Sequence, residues 1–243
     1  MTFDEYRKID KLNASLIKEG SKSIWHAWMA LNTERKPSPS MSLGTAIHCA
    51  ILEPLEFSKR YAVMTEGFDR RTKEGKEKYS KFCLENEGKE TISSEDNFLI
   101  EKIKFYINKN ESIKSLLNKC EKEKTLEKKN IKARLDLFND DLGIVADVKT
   151  ADNIDPKSFK YDFYKYGYDV QLYHYSLFIK EPKKVLILAI ETGTGHSTIF
   201  DVTKLILNER VKELHAFGIH NVLEAKKLKY EPKKYDDFIT LEQ

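Results

Sequence analysis

The sequence has few cysteines and no long hydrophobic run. Its three cysteines, Cys49, Cys83 and Cys120, are odd in number and widely spaced. They fit reduced thiols better than a disulfide framework or a zinc site, and they are too few for an iron–sulfur cluster. The longest apolar run, Val185 to Ile190, is far shorter than the roughly 20 residues that span a bilayer. Because the first residues are polar and charged, unlike a signal peptide, we expect a cytoplasmic protein without a membrane partner.

An excess of charge of one sign is also absent. Lysine and arginine number 42, aspartate and glutamate number 39, and the net charge is +3. This balance excludes no nucleic-acid partner, because a phosphate-binding groove can be a local patch on a nearly neutral protein. The 243 residues, 40% of them hydrophobic, are enough to bury a core. With no internal repeat and no composition boundary, we predict a single domain over 1–243.

The first part of the chain, residues 1–120, is predicted to be mainly helical. Apolar residues recur at helical spacing between Asp4 and Glu19. Ser42 is expected to cap a second helix that ends at Leu52, before a proline. A short helix among loops is predicted for residues 66–90. A longer helix is predicted for 94–118, in two pieces broken near 108–112.

From about residue 125 the sequence has the pattern of a sheet. Residues 131–138 alternate between apolar and polar, a turn cluster follows, and 144–149 form a second strand, which together predict a β-hairpin. A second hairpin is predicted from 185–191 and 197–201. Helices are predicted after an Asp-Pro cap at residue 155, over 166–179 and over 203–227. We therefore predict an α/β fold with a small mixed central sheet, formed within 125–243 and flanked by helices in three layers.

Two carboxylates and an amine are predicted to converge on the first hairpin. Asp136 lies on one strand and Asp147 on the other, and Lys149 shares a face with Asp147 because side chains two apart point the same way. Asp147 follows the apolar residues 144–146, where a charge is costly unless it is paired or metal-bound. Carboxylates that hold Mg²⁺ or Mn²⁺, with the Val148 carbonyl as a further ligand and a nearby lysine, suit phosphodiester hydrolysis. The alternative is a surface hairpin whose charged residues face solvent.

The Asp…Asp-x-Lys pattern resembles the PD-(D/E)xK nuclease superfamily. Gly44–His48 is similar to the Gly-x-x-x-His helix of its RecB-like branch, and Gln171–Tyr175 is similar to the Gln-x-x-x-Tyr helix of that branch. The segments 42–57 and 68–76 resemble the RecE-type (exonuclease VIII) nuclease domains of phage and prophage recombination systems. The resemblance runs from about residue 12 to 190 in the family's order. It implies a restriction-endonuclease-like three-layer core.

The resemblance implies three sets of site residues. The metal ligands are expected to be His48, Asp136, Asp147, Val148 and Glu127. The residues expected to act in catalysis are Lys149, Asp147, Asp136, Gln171 and Tyr175. The expected DNA contacts are Arg70, Arg71, Lys73, Lys76 and Arg134. Plainer alternatives stay open: a hydrogen-bonded core histidine for His48, a solvated charge for Glu127, and a buried aromatic stripe for Tyr164 and Tyr168.

The same resemblance implies a function. A metal-dependent exonuclease, with two Mg²⁺ or Mn²⁺ ions per site, would digest linear double-stranded DNA from 5′ to 3′. It would leave 3′ single-stranded tails for a RecT-like annealing protein, in the cytoplasm of a bacterial or phage-infected cell. A ring-shaped homo-oligomer is implied as well. The alternatives are an endonuclease or single-strand nuclease on the same core, and a non-catalytic module that binds DNA ends. We expect recognition through phosphates and ends, with marked salt dependence.

Overall fold

Helices make up most of the first 120 residues. The structure, a computed structural model, describes residues 3–34, 36, 38–64, 68–69 and 71–234. In chain order the first elements are α1 (Phe3–Lys8), α2 (Ala14–Gly20), α3 (Ile24–Asn32), α4 (Pro39–Leu52), α5 (Pro54–Arg60), β1 (Tyr61–Met64), α6 (Lys73–Glu85), β2 (Glu90–Ser93), α7 (Ser94–Lys109) and α8 (Glu111–Lys119). Strands β1 and β2 form a small parallel sheet, which the sequence did not predict.

The single helix predicted from Asp4 to Glu19 is wrong, because the structure has α1 and α2 there. The Asn13 side chain accepts a hydrogen bond from the Leu16 amide at 2.8 Å and so caps α2. Just before this cap, Leu12 forms a β-bridge with Ile131. The extended backbone at the bridge and the cap together interrupt the helix.

The predicted start of α4 was also wrong. Ser38, rather than Ser42, caps the helix by accepting a hydrogen bond from the Met41 amide at 3.3 Å. Pro39 then occupies the first turn, where its missing amide hydrogen has no helical partner to lose. The end at Leu52 is as predicted.

The second part of the chain contains a five-stranded sheet. Its elements are β3 (Glu121–Lys128), β4 (Ile131–Asn139), β5 (Ile144–Ala151), α9 (Pro156–Lys165), α10 (Tyr168–Ser176), β6 (Lys184–Glu191), β7 (Ser197–Asp201), α11 (Thr203–Ile206) and α12 (Glu209–Ala225). The strand order is β3-β4-β5-β6-β7, and only β5 and β6 are parallel. The parallel pair requires a crossover, which α9 and α10 provide. Both predicted hairpins and the mixed central sheet are confirmed.

Both faces of the sheet are covered by helices. On one face, Leu137, Ala146 and Val148 pack with residues of α4, α7 and α8. On the other face, Leu135 and Val145 pack with residues of α9 and α10. The result is the predicted three-layer α/β arrangement, in which two helical layers enclose the sheet.

The single helix predicted over 203–227 is two helices, α11 and α12. The break lies at Asn208, whose side chain accepts a hydrogen bond from the Val211 amide at 3.1 Å and caps α12. Other predicted boundaries are confirmed, including the cap of α9 by Asp155 and the break at Asn110 between α7 and α8. None of the helices that the structure describes has the length and apolar composition to cross a membrane.

Candidate active site

The hairpin of β4 and β5 opens into a fork at two carboxylates. Pairing between these strands ends with Leu137 opposite Ala146, and the next residue on each strand is an aspartate, Asp136 on β4 and Asp147 on β5. Asp136 Oδ2 accepts a hydrogen bond from the Val148 amide at 2.8 Å. A side-chain carboxylate therefore takes the place of a ladder carbonyl, and the two aspartates lie together where the strands separate.

The fork coincides with distortions in the neighbouring backbone. Leu135 and Leu137 would share a face of a regular strand, yet they pack on opposite faces of the sheet. On β3, Glu123 has a left-handed backbone with φ of 53°, which costs a non-glycine residue about 1 kcal/mol or more. The flanking pairs of β3 and β4 place Glu123 opposite Asp136. Both strands are thus irregular at the level where their carboxylates meet.

His48 joins these carboxylates from α4. Its Nε2 lies 2.8 Å from Asp136 Oδ2, and its Nδ1 lies 3.4 Å from Glu123 Oε1. The helix can approach β5 because Gly44 has no side chain: a Cβ there would lie 2.9 Å from Thr150 Oγ1. Burial lowers the pKa of His48, but the hydrogen bond and charge of Asp136 and the charge of Glu123 outweigh it and raise the pKa to about 9.

The buried Asp147 and the largely buried Lys149 form an ion pair beside this cluster. The Lys149 ammonium contacts Asp147 Oδ2 and lies 4.9 Å from the centre of the Tyr168 ring. Burial raises the pKa of Asp147 to about 6, against the lowering effect of Lys149. Burial alone would lower the pKa of Lys149, but the charges of Asp147 and Asp136 raise it. The lysine therefore stays charged at neutral pH.

Gln171 and Tyr175 on α10 complete this side of the site. Gln171 Nε2 donates hydrogen bonds to Asp147 Oδ1 at 3.3 Å and to the Tyr175 hydroxyl at 2.9 Å. Their spacing of four residues puts both side chains on one helical face. The amide therefore orients the Asp147 carboxylate, and the tyrosine orients the amide.

The donor set fits a hard divalent cation. Single donor atoms of His48, Glu123 and Asp136 lie within 4.8 Å of one another, and Asp147 and Val148 adjoin them on β5. Within the described part of the chain, Glu123 Oε1 and Gln171 Oε1 are buried oxygens that accept no hydrogen bond. A buried acceptor without a donor is costly, and carboxylate, carbonyl and imidazole groups suit Mg²⁺ or Mn²⁺.

The structure does not bring Glu127 to this cluster. Its carboxylate pairs with Lys11 at 2.9 Å. Glu127 lies on β3 four residues beyond Glu123, away from the fork. Glu123 occupies the position that was expected for Glu127. Apolar periodicity does not mark Glu123, because β3 is a charged run, although the antiparallel register counted back from Asp136 leads to it.

The predicted DNA contacts lie in two different settings. Arg134 is largely buried and contacts Glu123, with Glu53 3.3 Å away, so it holds a carboxylate of the site. Arg71 is exposed and pairs with Asp69 at 3.2 Å. Two further predicted contacts, Lys73 and Lys76, are exposed on α6, and Arg70 lies outside the described residues. DNA contact by the residues of this segment stays a prediction.

The site opens in two directions. A groove of about 660 Å³, between α4, the end of β5 and the α9–α10 connection, is lined by His48, Lys149 and Tyr168 among others. A cavity of about 380 Å³ on the other side is lined by His48, Asp136 and Arg7 among others, with α1 as one wall. Because His48 lines both spaces, the cluster of His48, Glu123 and Asp136 lies between them.

Comparison with known proteins agrees with this geometry. Residues 13–237 match the model of a family described as a PDDEXK-like domain of unknown function (DUF3799). The fold is similar to the crystal structure of a candidate exonuclease from Eubacterium rectale, with a TM-score of 0.64, 15% identity, and coverage of 100% of this chain and 95% of that one. At this identity the likeness concerns the fold alone. No curated protein shows significant similarity to the chain.

Proposed function

This chain belongs to the PDDEXK-like family DUF3799, within the PD-(D/E)xK nuclease superfamily, and we propose that it is a metal-dependent exonuclease acting on linear double-stranded DNA. The observation that carries this proposal is the strand fork. It gathers three carboxylates, of Glu123, Asp136 and Asp147, with the His48 imidazole and a largely buried, charged Lys149. Carboxylates that hold metal ions beside an amine are what phosphodiester hydrolysis requires.

The residues of the site would have two roles, holding the cation and stabilising the phosphate. His48, Glu123, Asp136 and Asp147 would hold the cation, which when bound polarises the phosphate and supplies hydroxide from water. The Lys149 ammonium lines the groove, where it can donate hydrogen bonds to phosphate oxygens as they gain negative charge. Because the positions of these groups are set by the sheet, little reorganisation is needed during the reaction.

The finer parts of the proposal rest on resemblance. The order of motifs is that of RecE-type nuclease domains, and the neighbour in fold is described as a candidate exonuclease. From these we propose 5′-to-3′ digestion with two Mg²⁺ or Mn²⁺ ions and 3′ single-stranded tails as product. We further propose a homo-oligomeric ring and hand-over to a RecT-like annealing protein in the cytoplasm. A single-strand nuclease on the same core is the second candidate, favoured by the tyrosines that line the groove.

Digestion of end-labelled DNA tests the proposal. We expect linear duplex to be degraded in Mg²⁺ or Mn²⁺ and spared in a chelator, with the 5′ label released first, while closed circular duplex survives. Cleavage of the circle would identify an endonuclease. Degradation of single strands alone would identify the second candidate. DNA binding without digestion under any metal would identify a non-catalytic module.

Lys149→Ala is the control that ties activity to the site. Removal of the ammonium should lower the rate by about 100- to 1000-fold, the usual cost of losing one donor to a developing charge, while DNA binding is retained. Lys22→Ala is the matched variant, since Lys22 is an exposed lysine paired with Glu19 at 3.0 Å on α2. Full activity in Lys149→Ala would overturn the assignment.

A further inference from the structure

Two aromatic rings, with a lysine on each side, follow one another beside the groove that leads to Lys149. Lys165 Nζ lies 5.2 Å from the centre of the Tyr166 ring, and the Tyr166 and Tyr168 rings are 5.8 Å apart. The next group is Lys149 itself, 4.9 Å from the Tyr168 ring. We call Lys165, Tyr166 and Tyr168 the tyrosine wall.

The two rings of the tyrosine wall are available from the groove. Both Tyr166 and Tyr168 line it, and Tyr166 keeps 45% of its surface exposed. The rings are inclined at 35°, so they do not stack flat on each other. A buried stripe that only fills the core would not leave a ring exposed beside the catalytic lysine.

We propose that the tyrosine wall binds one unpaired strand of the DNA substrate, whose bases stack on Tyr166 and Tyr168 while the phosphate to be cleaved lies at Lys149. The inference rests on the proposed nuclease function and specifies its substrate. Bases inside a duplex present only their edges to a protein, so two successive bases can stack on Tyr166 and Tyr168 only where they are unpaired. Aromatic side chains next to cationic ones are typical of surfaces that bind single strands.

The charges of the groove favour stacking over phosphate contact as the source of affinity. Lys149 lines the groove, but so do the carboxylates of Asp152 and Asp162. A surface with this mixture of charge gains little from neutralising phosphates. The rings are therefore the groups that hold the strand, and the affinity that they supply should depend weakly on salt.

Binding of a short single strand that carries 2-aminopurine tests the proposal. The measurement is made in the Lys149→Ala background, so that binding is recorded without cleavage, and stacking on a ring quenches the fluorescence. Tyr166→Ala should weaken binding about 5- to 100-fold, the usual worth of stacking for one base, with a loss of quenching. The factor should be similar at low and high salt. Tyr166→Phe should behave as the parent does.

Tyr161→Ala is the matched control. Tyr161 lies on α9 with 68% of its surface exposed, and the same Lys165 lies 5.6 Å from its ring. It does not line the groove, so we expect parental binding and quenching. In the active protein, Tyr166→Ala should raise the KM for single strands and frayed ends and leave kcat unchanged.

The outcomes separate the inference from the function on which it rests. Parental binding and quenching in Tyr166→Ala, in a protein that digests DNA, would overturn the inference alone. An equal loss in Tyr161→Ala would also overturn it, because the effect would then not belong to the groove. Absence of digestion by the unmodified protein would overturn the proposed function, whatever the binding experiment shows.

Discussion

The pKa of His48 is raised to about 9, whereas the pKa of His174 is lowered to about 4. The His174 imidazole is fully buried, the His48 imidazole is partly buried, and the two lie in different regions. His48 faces the carboxylates of Asp136 and Glu123 at the strand fork. His174 lies on α10 and faces His215 of α12. Burial disfavours its charged form, and a hydrogen bond to a backbone carbonyl opposes this only weakly. We call the fork, with its ionised carboxylates, His48 and Lys149, the charged region. We call His174 and His215, whose uncharged forms are favoured, the neutral region.

Hydrogen bonds in the second region fix the neutral form of the histidines. His174 Nε2 lies 3.0 Å from the Lys132 carbonyl, which can only accept, so this nitrogen carries the proton. His174 Nδ1 must then accept from His215 Nε2, 3.0 Å away. The chain of bonds connects β4, α10 and α12. These bonds hold α10 in place, and α10 also carries Gln171, which contacts Asp147 in the site.

Replacement of Asp147 tests the charged region and should have the largest effect, on stability and activity together. Asp147→Asn leaves Lys149 buried without its partner, which typically costs about 3 to 5 kcal/mol of stability. It also removes a proposed metal ligand, so activity should fall at least about 100-fold. Denaturant unfolding and digestion rates measure the two effects.

The double variant Asp147→Asn/Lys149→Met separates these effects. With both charges gone, the free energy of unfolding should return close to that of the unmodified protein, while the double variant stays inactive. A double variant as unstable as Asp147→Asn would show that the charges are not what destabilises the single variant.

A fall in pH tests the neutral region and should have an intermediate effect, on the free energy of unfolding. The pKa of His174 and that of His215 are each about 4 in the folded protein, against about 6.5 when unfolded. The unfolded chain therefore binds these protons first, and the stabilisation is complete above pH 6.5 and is lost as the pH falls towards 4. We expect a loss on the order of 3 kcal/mol for each of the two histidines, measured by unfolding at pH 7 and pH 4.

His215→Gln isolates the histidine contribution from that of the carboxylates. The glutamine amide can still donate a hydrogen bond to His174 Nδ1, but it does not titrate. About half of the loss of stability that the two histidines cause between pH 7 and pH 4 should therefore be absent in this variant. An unchanged pH profile would show that other groups account for the acid sensitivity.

Exchange of two glutamates on β3 should have the smallest effect and sharpens the boundary of the charged region. Glu123→Gln should weaken Mn²⁺ binding about 10- to 100-fold, because Glu123 faces His48. Glu127→Gln is the matched control, with its carboxylate on Lys11, and should bind Mn²⁺ as the unmodified protein does. Equal losses in the two variants would show that net charge, rather than ligation, controls affinity.

The fate of these two glutamates shows what the sequence could predict. Asp147 stands out because it interrupts an apolar run, and Asp136 because it lies on the neighbouring strand of a hairpin whose turn defines the pairing. Glu123 lies in a strand whose residues are nearly all charged, so no periodicity marks it. Its role depends on register and on an unusual backbone angle, which composition does not encode.

The same limit explains the errors in the fold. The mixed sheet and most helices follow from local periodicity. Asn13 and Asn208 cap helices within continuous helical patterns, and each break was missed because the apolar spacing continues across it. The bridge from Leu12 to Ile131 is a long-range contact that local patterns do not reveal.

Direct titration of Mn²⁺ into the protein, followed by the loss of the free-ion electron spin resonance signal, tests whether the strand fork is a metal centre. We expect saturable Mn²⁺ binding to the unmodified protein without DNA. Binding should be weakened about 100-fold or more in Asp136→Asn, since Asp136 contacts His48 and the Val148 amide at the fork. Binding should be unchanged in Asp140→Asn, on the turn between β4 and β5. Equal Mn²⁺ affinity in Asp136→Asn and the unmodified protein would contradict a metal centre at the fork.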